Sequence, residues 1–74
     1  MQVRVKLVGV FKIDRFRQEM CDYPEGITVM EVARQLGLSE KILGIALING
    51  VHSGFDSILQ DGDDLTLMPI LEGG

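Results

Sequence analysis

The sequence predicts an α+β fold, a mixed sheet of four to five strands with one main helix packed across it. Three observations carry this expectation. Val3, Val5 and Leu7 alternate with Gln2, Arg4 and Lys6 at the two-residue period of a half-buried strand. Thr28 and Glu31 have the spacing of a capping box, in which each side chain reaches the other's unpaired backbone N–H at a helix start. Asn49-Gly50 and Asp61-Gly62-Asp63 are turn signals that cut the second half of the chain into short apolar runs.

The elements follow in order. After the first strand, Gly9 to Asp14 carries a turn and Phe16 to Tyr23 returns as a second strand, with weaker alternation and a stop at Pro24 that suits a sheet edge. Ile27 and Val32 are placed for the hydrophobic staple that accompanies the capping box. Val29, Val32, Ala33 and Leu36 then fall at i, i+3, i+4 and i+7, an apolar stripe to lay on a sheet, while Glu31, Arg34 and Gln35 point outward. Gly37 and Leu38 supply the stop, because glycine accepts the left-handed conformation and leucine folds back on the last turn. Ile45 to Ile48 is apolar on both faces and too short for a helix, so it reads as an interior strand entering a tight hairpin, with Val51 and His52 beginning the return. Phe55, Ile58 and Leu59 are spaced like one helical turn. Leu65, Leu67 and the residues around Pro69 form the last strand. A hairpin, a helix and a last strand able to pair beside the first is the order of a β-grasp fold over residues 1–71, with residues 72–74 expected as a flexible tail.

Composition excludes much. A 74-residue chain has a core worth only ~3–5 kcal/mol net, which leaves little stability for a deep catalytic cleft and argues against an enzyme. The longest apolar run, Ile45 to Ile48, is far below the ~20 residues that span a bilayer, and the amino-terminal residues alternate as a strand does. The expectation is therefore a cytoplasmic protein with no membrane partner. With 11 acidic against 7 basic residues and a net charge of -4, the chain has no general attraction for nucleic acid, although Arg4, Lys6, Lys12, Arg15 and Arg17 crowd its first quarter. Their simplest reading is a solvated open face of the sheet. Cys21 is the single cysteine, so neither an internal disulfide nor a thiolate cage for a metal is available. It reads as a small hydrophobe rather than a nucleophile, since His52 lies in another strand with no signature around either residue. Asp56, Asp61, Asp63 and Asp64 lack the ligand spacing of a calcium loop and read as turn chemistry. No metal and no bound cofactor are expected.

The end of the chain is more informative. Met68, Ile70 and Leu71 cannot all point inward from an alternating strand, so some of them form a partner-binding patch. Beyond them, Gly73 and Gly74 carry no Cβ and can thread a channel that rejects side chains, and Glu72 to Gly74 reaches ~10 Å from the sheet. Such a tail delivers the Gly74 carboxylate to another protein's active site. A carboxylate is unreactive towards nucleophiles until a partner activates it, for which an acyl adenylate made from Mg-ATP is the natural form.

Over essentially all 74 residues the chain resembles the ThiS/MoaD family of ubiquitin-like sulfur carriers. The resemblance rests on Gly26-Ile27-Thr28-Val29, Leu47-Ile48-Asn49-Gly50, Gln60-Asp61-Gly62-Asp63-Asp64-Leu65 and Met68-Pro69-Ile70-Leu71-Glu72-Gly73-Gly74 taken together. It implies that an E1-like enzyme of the MoeB/ThiF type adenylates Gly74, that a persulfide donor converts the product to a thiocarboxylate, and that a larger acceptor subunit receives the sulfur. In the MoaD branch the acceptor is the molybdopterin precursor, held by a MoaE-type subunit; in the ThiS branch it is the thiazole of thiamin. Pro69 just ahead of the tail looks more like MoaD. Glu72 stands where the family has a small or neutral residue, which sends an acidic group to the mouth of the partner's channel. A protein modifier sharing the chemistry as far as the adenylate, and a β-grasp interaction module whose glycines are incidental, are the alternatives.

Overall fold

A computed structural model describes residues 1–70 of the chain. Its strands are β1 (Gln2–Leu7), β2 (Gln18–Asp22), β3 (Leu43–Ile48), β4 (Val51–Ser53) and β5 (Asp64–Pro69), with one α-helix, α1 (Val29–Gln35). They form a single mixed sheet in the order β2-β1-β5-β3-β4. β1 and β5 pair in parallel at the centre, and the other neighbours are antiparallel. This is the α+β, ubiquitin-like β-grasp arrangement expected of the sequence.

The helix begins and ends as its residues dictate. Thr28 Oγ1 accepts from the Glu31 backbone N–H at 3.2 Å, and the Glu31 carboxylate accepts from the Thr28 N–H at 3.1 Å, completing the capping box. At the other end Gly37 stands at φ +72°, its N–H donating to the Arg34 carbonyl and that of Leu38 to the Ala33 carbonyl, both at 3.0 Å. Those two bonds are a Schellman motif, and Leu38 is buried against the core as the motif requires. Seven residues are too few for a helix stable alone, so caps and packing hold α1 in place. Val29, Val32 and Ala33 lie fully buried against Val3, Val5 and Leu7 of β1 and Leu65 and Leu67 of β5.

Four expectations need correction. Phe55, Ile58 and Leu59 form no helical turn: the segment runs as a turn joined to Thr28 by an isolated bridge at Ile58. The reason lies in the helix start, where the Val29 and Met30 N–H groups have no partner within the helix and donate to the carbonyls of Ser57 at 3.0 Å and Phe55 at 2.8 Å. Binding those donors fixes the path of the turn, leaving Ile58 exposed and Leu59 buried. The second strand is shorter than expected, Gln18–Asp22 rather than Phe16 to Tyr23, though it does lie at an edge. Before it, Gly9–Lys12 winds into a 3₁₀ turn that drives Phe11 into the core, only 2% exposed. β3 is interior in the sheet, yet its second face is open and leaves Ile45 exposed. The basic cluster divides. Arg4 and Lys6 lie on the open face, whereas Arg15 turns to the end of α1, donating from Nε to the Leu36 carbonyl at 2.8 Å and from Nη2 to the Gly37 carbonyl at 3.0 Å. There a cation meets the negative end of the helix dipole.

The aspartates act as turn residues. Asp63 accepts from the Gln60 N–H at 2.8 Å and from Asn49 Nδ2 at 2.9 Å, and Asn49 Oδ1 accepts from the Asp64 N–H at 2.9 Å. Asn49, at φ +53°, thus ties the β3–β4 hairpin to the corner that starts β5. Among the described residues no cluster of His, Cys, Asp and Glu is placed to hold a metal ion, and no helix is long and apolar enough to cross a membrane.

Tyr23, just past β2, is the single tyrosine and is buried. Burial pushes its phenol above the ordinary value near 10, with the Cys21 thiol beside it and Glu19 acting in the same direction. The folded state therefore holds the Tyr23 proton more tightly than the unfolded state. The stabilisation is fully present below about pH 10 and declines as pH rises above it. Absorbance titration, undisturbed by tryptophan, should show no phenolate in the folded protein at pH 10.5 and a mostly ionised phenol in denaturant, and Tyr23→Phe should flatten the alkaline stability loss.

Candidate functional site

The central strand β5 delivers the chain to the place where function is expected. Residues alternate along it, Leu65 and Leu67 facing the helix and Asp64, Thr66 and Met68 the open side of the sheet. Register extends that open face sideways: Met68 stands opposite Ile45, and Thr66 opposite both Leu47 of β3 and Lys6 of β1. His52, opposite Leu47, marks its far edge. An apolar area at Ile45, Leu47 and Met68 therefore adjoins a basic one at Lys6 and Arg4, where Arg4 pairs with Asp64 at 3.4 Å.

At the end of β5 the surface deepens into a groove of about 420 Å³. Val8, Ile45, Met68, Pro69 and Ile70 line it, and Gly9 and Gly44 form the remaining wall. Ile45 is 41% and Ile70 51% exposed, so large apolar side chains meet water here with none of the described residues covering them. Of the residues predicted to bind a partner, Met68 is half-buried in this groove and Ile70 exposed at its rim. Leu71, Glu72, Gly73 and Gly74 lie outside the described residues.

The sequence reading did not include Val8, Ile45, Pro69 or Gly44 in the site. Gly44 is the instructive omission. Leu43 pairs with Pro69 but Ile45 with Met68, so two steps along β3 match one along β5 and the chain bulges at Gly44. The bulge changes which face the strand presents: Leu43 is buried beneath the sheet, Ile45 stands on the open side, and Ala46 is buried again. A glycine directly ahead of a continuous apolar run was the available signal.

Cys21 and His52 remain apart. Cys21 sits in edge strand β2, half-buried against the core, with its Sγ 3.8 Å from the Glu19 carbonyl; His52 is exposed on β4 at the opposite edge. A larger hollow of about 580 Å³ lies between the 3₁₀ turn and the end of α1; Asp14 and Ser39 are in its wall, and the Arg15 guanidinium there is engaged by backbone carbonyls.

A small mixed sheet grasping one helix, with an apolar groove where its central strand ends, defines a ubiquitin-like domain. The chain belongs to the TGS domain family, whose model matches residues 15–68. No curated protein sequence matches the chain significantly. Among solved structures it is similar to small archaeal modifier protein 1, SAMP1, from Haloferax volcanii, at 21% identity over 100% of both chains with a TM-score of 0.77. It is also similar to a Pyrococcus furiosus protein described as molybdopterin converting factor subunit 1, at 23% identity over 96% of this chain and 99% of that one, TM-score 0.75. A third is from Helicobacter pylori, in a complex of subunits 1 and 2 of molybdopterin-converting factor, at 21% identity over 100% of both chains with a TM-score of 0.64. At these identities the likeness is one of fold.

Proposed function

We propose that this chain is a ubiquitin-like sulfur carrier, a protein co-substrate rather than a catalyst, working in the cytoplasm. The observation that carries the reading is the central strand β5, which ends beside an apolar groove that no described residue covers and leads into Leu71-Glu72-Gly73-Gly74. Met68 and Ile70 would dock on the partner, with Leu71 and Glu72 following into its channel and the two glycines passing the narrowest part.

The Gly74 carboxylate, taken as the carboxyl terminus, attacks the α-phosphorus of Mg-ATP in an E1-like enzyme and releases pyrophosphate. The terminal sulfur of a persulfide then displaces AMP. A second thiol cleaves the resulting S–S bond, becoming oxidised to a disulfide and leaving the thiocarboxylate. We assign the sulfur to the molybdopterin precursor, held by a larger acceptor subunit. The Helicobacter pylori complex of subunits 1 and 2 supports such a pairing. A protein-modifier role, in which the activated tail acylates lysines, is the second reading, and the likeness to small archaeal modifier protein 1 favours it.

The test is the mass of the C-terminal peptide of the protein isolated from its own cells. Peptide mapping is needed because exchange of oxygen for sulfur at Gly74 adds nearly the same mass as oxidation of Cys21 or of one of the four methionines. A thiocarboxylate on the last peptide is the expected result. An unmodified carboxylate, with tails found joined to lysines of other proteins, would replace the carrier by the modifier.

A further inference from the structure

We propose that Gly44 is a positioning residue for the tail: it sets where and in which direction the chain leaves β5 and so aims the Gly74 carboxylate. The proposal rests on the carrier reading. Its evidence is a close backbone approach. A Cβ built on Gly44 would lie 2.9 Å from the Ile70 nitrogen, 3.0 Å from the Pro69 carbonyl carbon and 3.1 Å from the Ile70 Cα. All three are backbone atoms, which cannot rotate aside as a side-chain tip does. Even alanine would therefore push the Pro69–Ile70 segment off its present path.

Two further contacts fix that path. The Ile70 N–H donates to the Ile42 carbonyl at 2.7 Å, joining the last described residue of the chain to the residue just before β3. On the other side Gly9, at φ +62°, would bring a Cβ to 3.3 Å from Pro69 Cγ. The exit of β5 is thus held between two glycines and one hydrogen bond. Pro69 adds a ring with fixed φ at the strand's end, where no ladder donor is lost to a further neighbour. The bulge at Gly44 turns Ile45 onto the open face and lets Ile70 approach, so one residue serves both the apolar groove and the departing chain.

Glycine is not needed at position 44 for its own backbone, because its φ lies outside the left-handed region that favours glycine. Gly50 is the opposite case: φ is +81° and nothing lies within 4 Å of an added Cβ. Gly50→Ala therefore strains a hairpin far from the exit and serves as the control for lost stability.

The experiment measures ATP–pyrophosphate exchange by an E1-like enzyme from the same organism on wild type, Gly44→Ala and Gly50→Ala, at a temperature where all three are folded. Hydrogen exchange at the Ile70 amide is followed in parallel. Wild type should show a protected Ile70 amide. In Gly44→Ala that protection should be lost while Leu67 stays protected, and kcat should fall roughly 10- to 100-fold at little-changed KM, the order expected for misplacing a reacting group by about an ångström. Gly50→Ala should match wild type. An unprotected Ile70 amide in wild type, or normal kcat in Gly44→Ala, would overturn the proposal and leave the carrier reading standing. Should Gly44→Ala fail to fold, the wild-type Ile70 amide still decides whether the clamp exists. Failure of wild type itself to support exchange would remove the carrier reading, and the positioning role with it.

Discussion

Deleting Gly73 and Gly74 should abolish thiocarboxylate formation while leaving the thermal midpoint of the domain where it is. All five strands and the helix lie between Gln2 and Pro69, so the deletion removes none of the elements that hold the fold. It does shorten the reach of the terminal carboxylate by up to about 7 Å, the most that two residues can span. Misplacement by ~1 Å can already cost a hundredfold, so a shift of this size puts the carboxylate out of reach of ATP. Docking should survive, because Ile45, Met68 and Ile70 are untouched; the shortened chain is expected to compete with the full-length protein for the activating enzyme. Replacing the pair by Ala-Ala separates length from width. If reach alone matters, Ala-Ala restores activity; if the channel excludes a Cβ, it does not. Intact function after deletion would favour the interaction-module reading, in which the glycines are incidental.

Phe11→Ala should produce the largest stability loss of any single truncation in the loop between β1 and β2. Phe11 is 2% exposed and is among the largest fully buried side chains of the core. Truncating a buried phenylalanine costs about 3–5 kcal/mol, once the residual cavity is added to the lost transfer energy. A core of this size supplies about the same amount in total. The variant is therefore expected to be largely unfolded at room temperature, or to melt tens of degrees lower, as read by circular dichroism. Val10→Ala and Ile13→Ala, next to it but 52% and 62% exposed, should change stability by no more than about 0.5 kcal/mol. Equal losses in all three would mean that Phe11 acts through the turn's backbone and not through the core.

Phe11 also shows where sequence reading stops. Between Gly9 and Asp14 there is no period to read, only a turn signal, and one phenylalanine among Val10, Lys12 and Ile13 gives no hint of which side chain is inward. A 3₁₀ turn with Gly9 at φ +62° makes that choice, and it can do so only because the sheet and helix leave a space there. The apparent helical turn at Phe55, Ile58 and Leu59 fails for a related reason. Local spacing allowed it, but the unpaired N–H groups at the start of α1 needed carbonyls from the same segment. Arg15 likewise reads as one more surface cation until the fold brings the end of α1 to within 2.8 Å of its guanidinium.

What the sequence determined by itself is whatever depends on neighbours a few residues away: the alternation of β1, the capping box and Schellman stop of α1, the Asn49-Gly50 hairpin, the Gly62 corner and the glycine pair of the tail. Each is a local pattern of backbone preference or side-chain reach, complete within about five residues, and all but the glycine pair, which lies outside the described residues, are found where they were expected. The tertiary structure decided the rest. The bulge at Gly44, the outward face of Ile45 and the path of Pro69 and Ile70 depend on β3 meeting β5, strands some twenty residues apart, with β5 also paired to β1. Long-range pairing selects one register among several that local pattern permits, and it is that register which places the groove beside the departing chain.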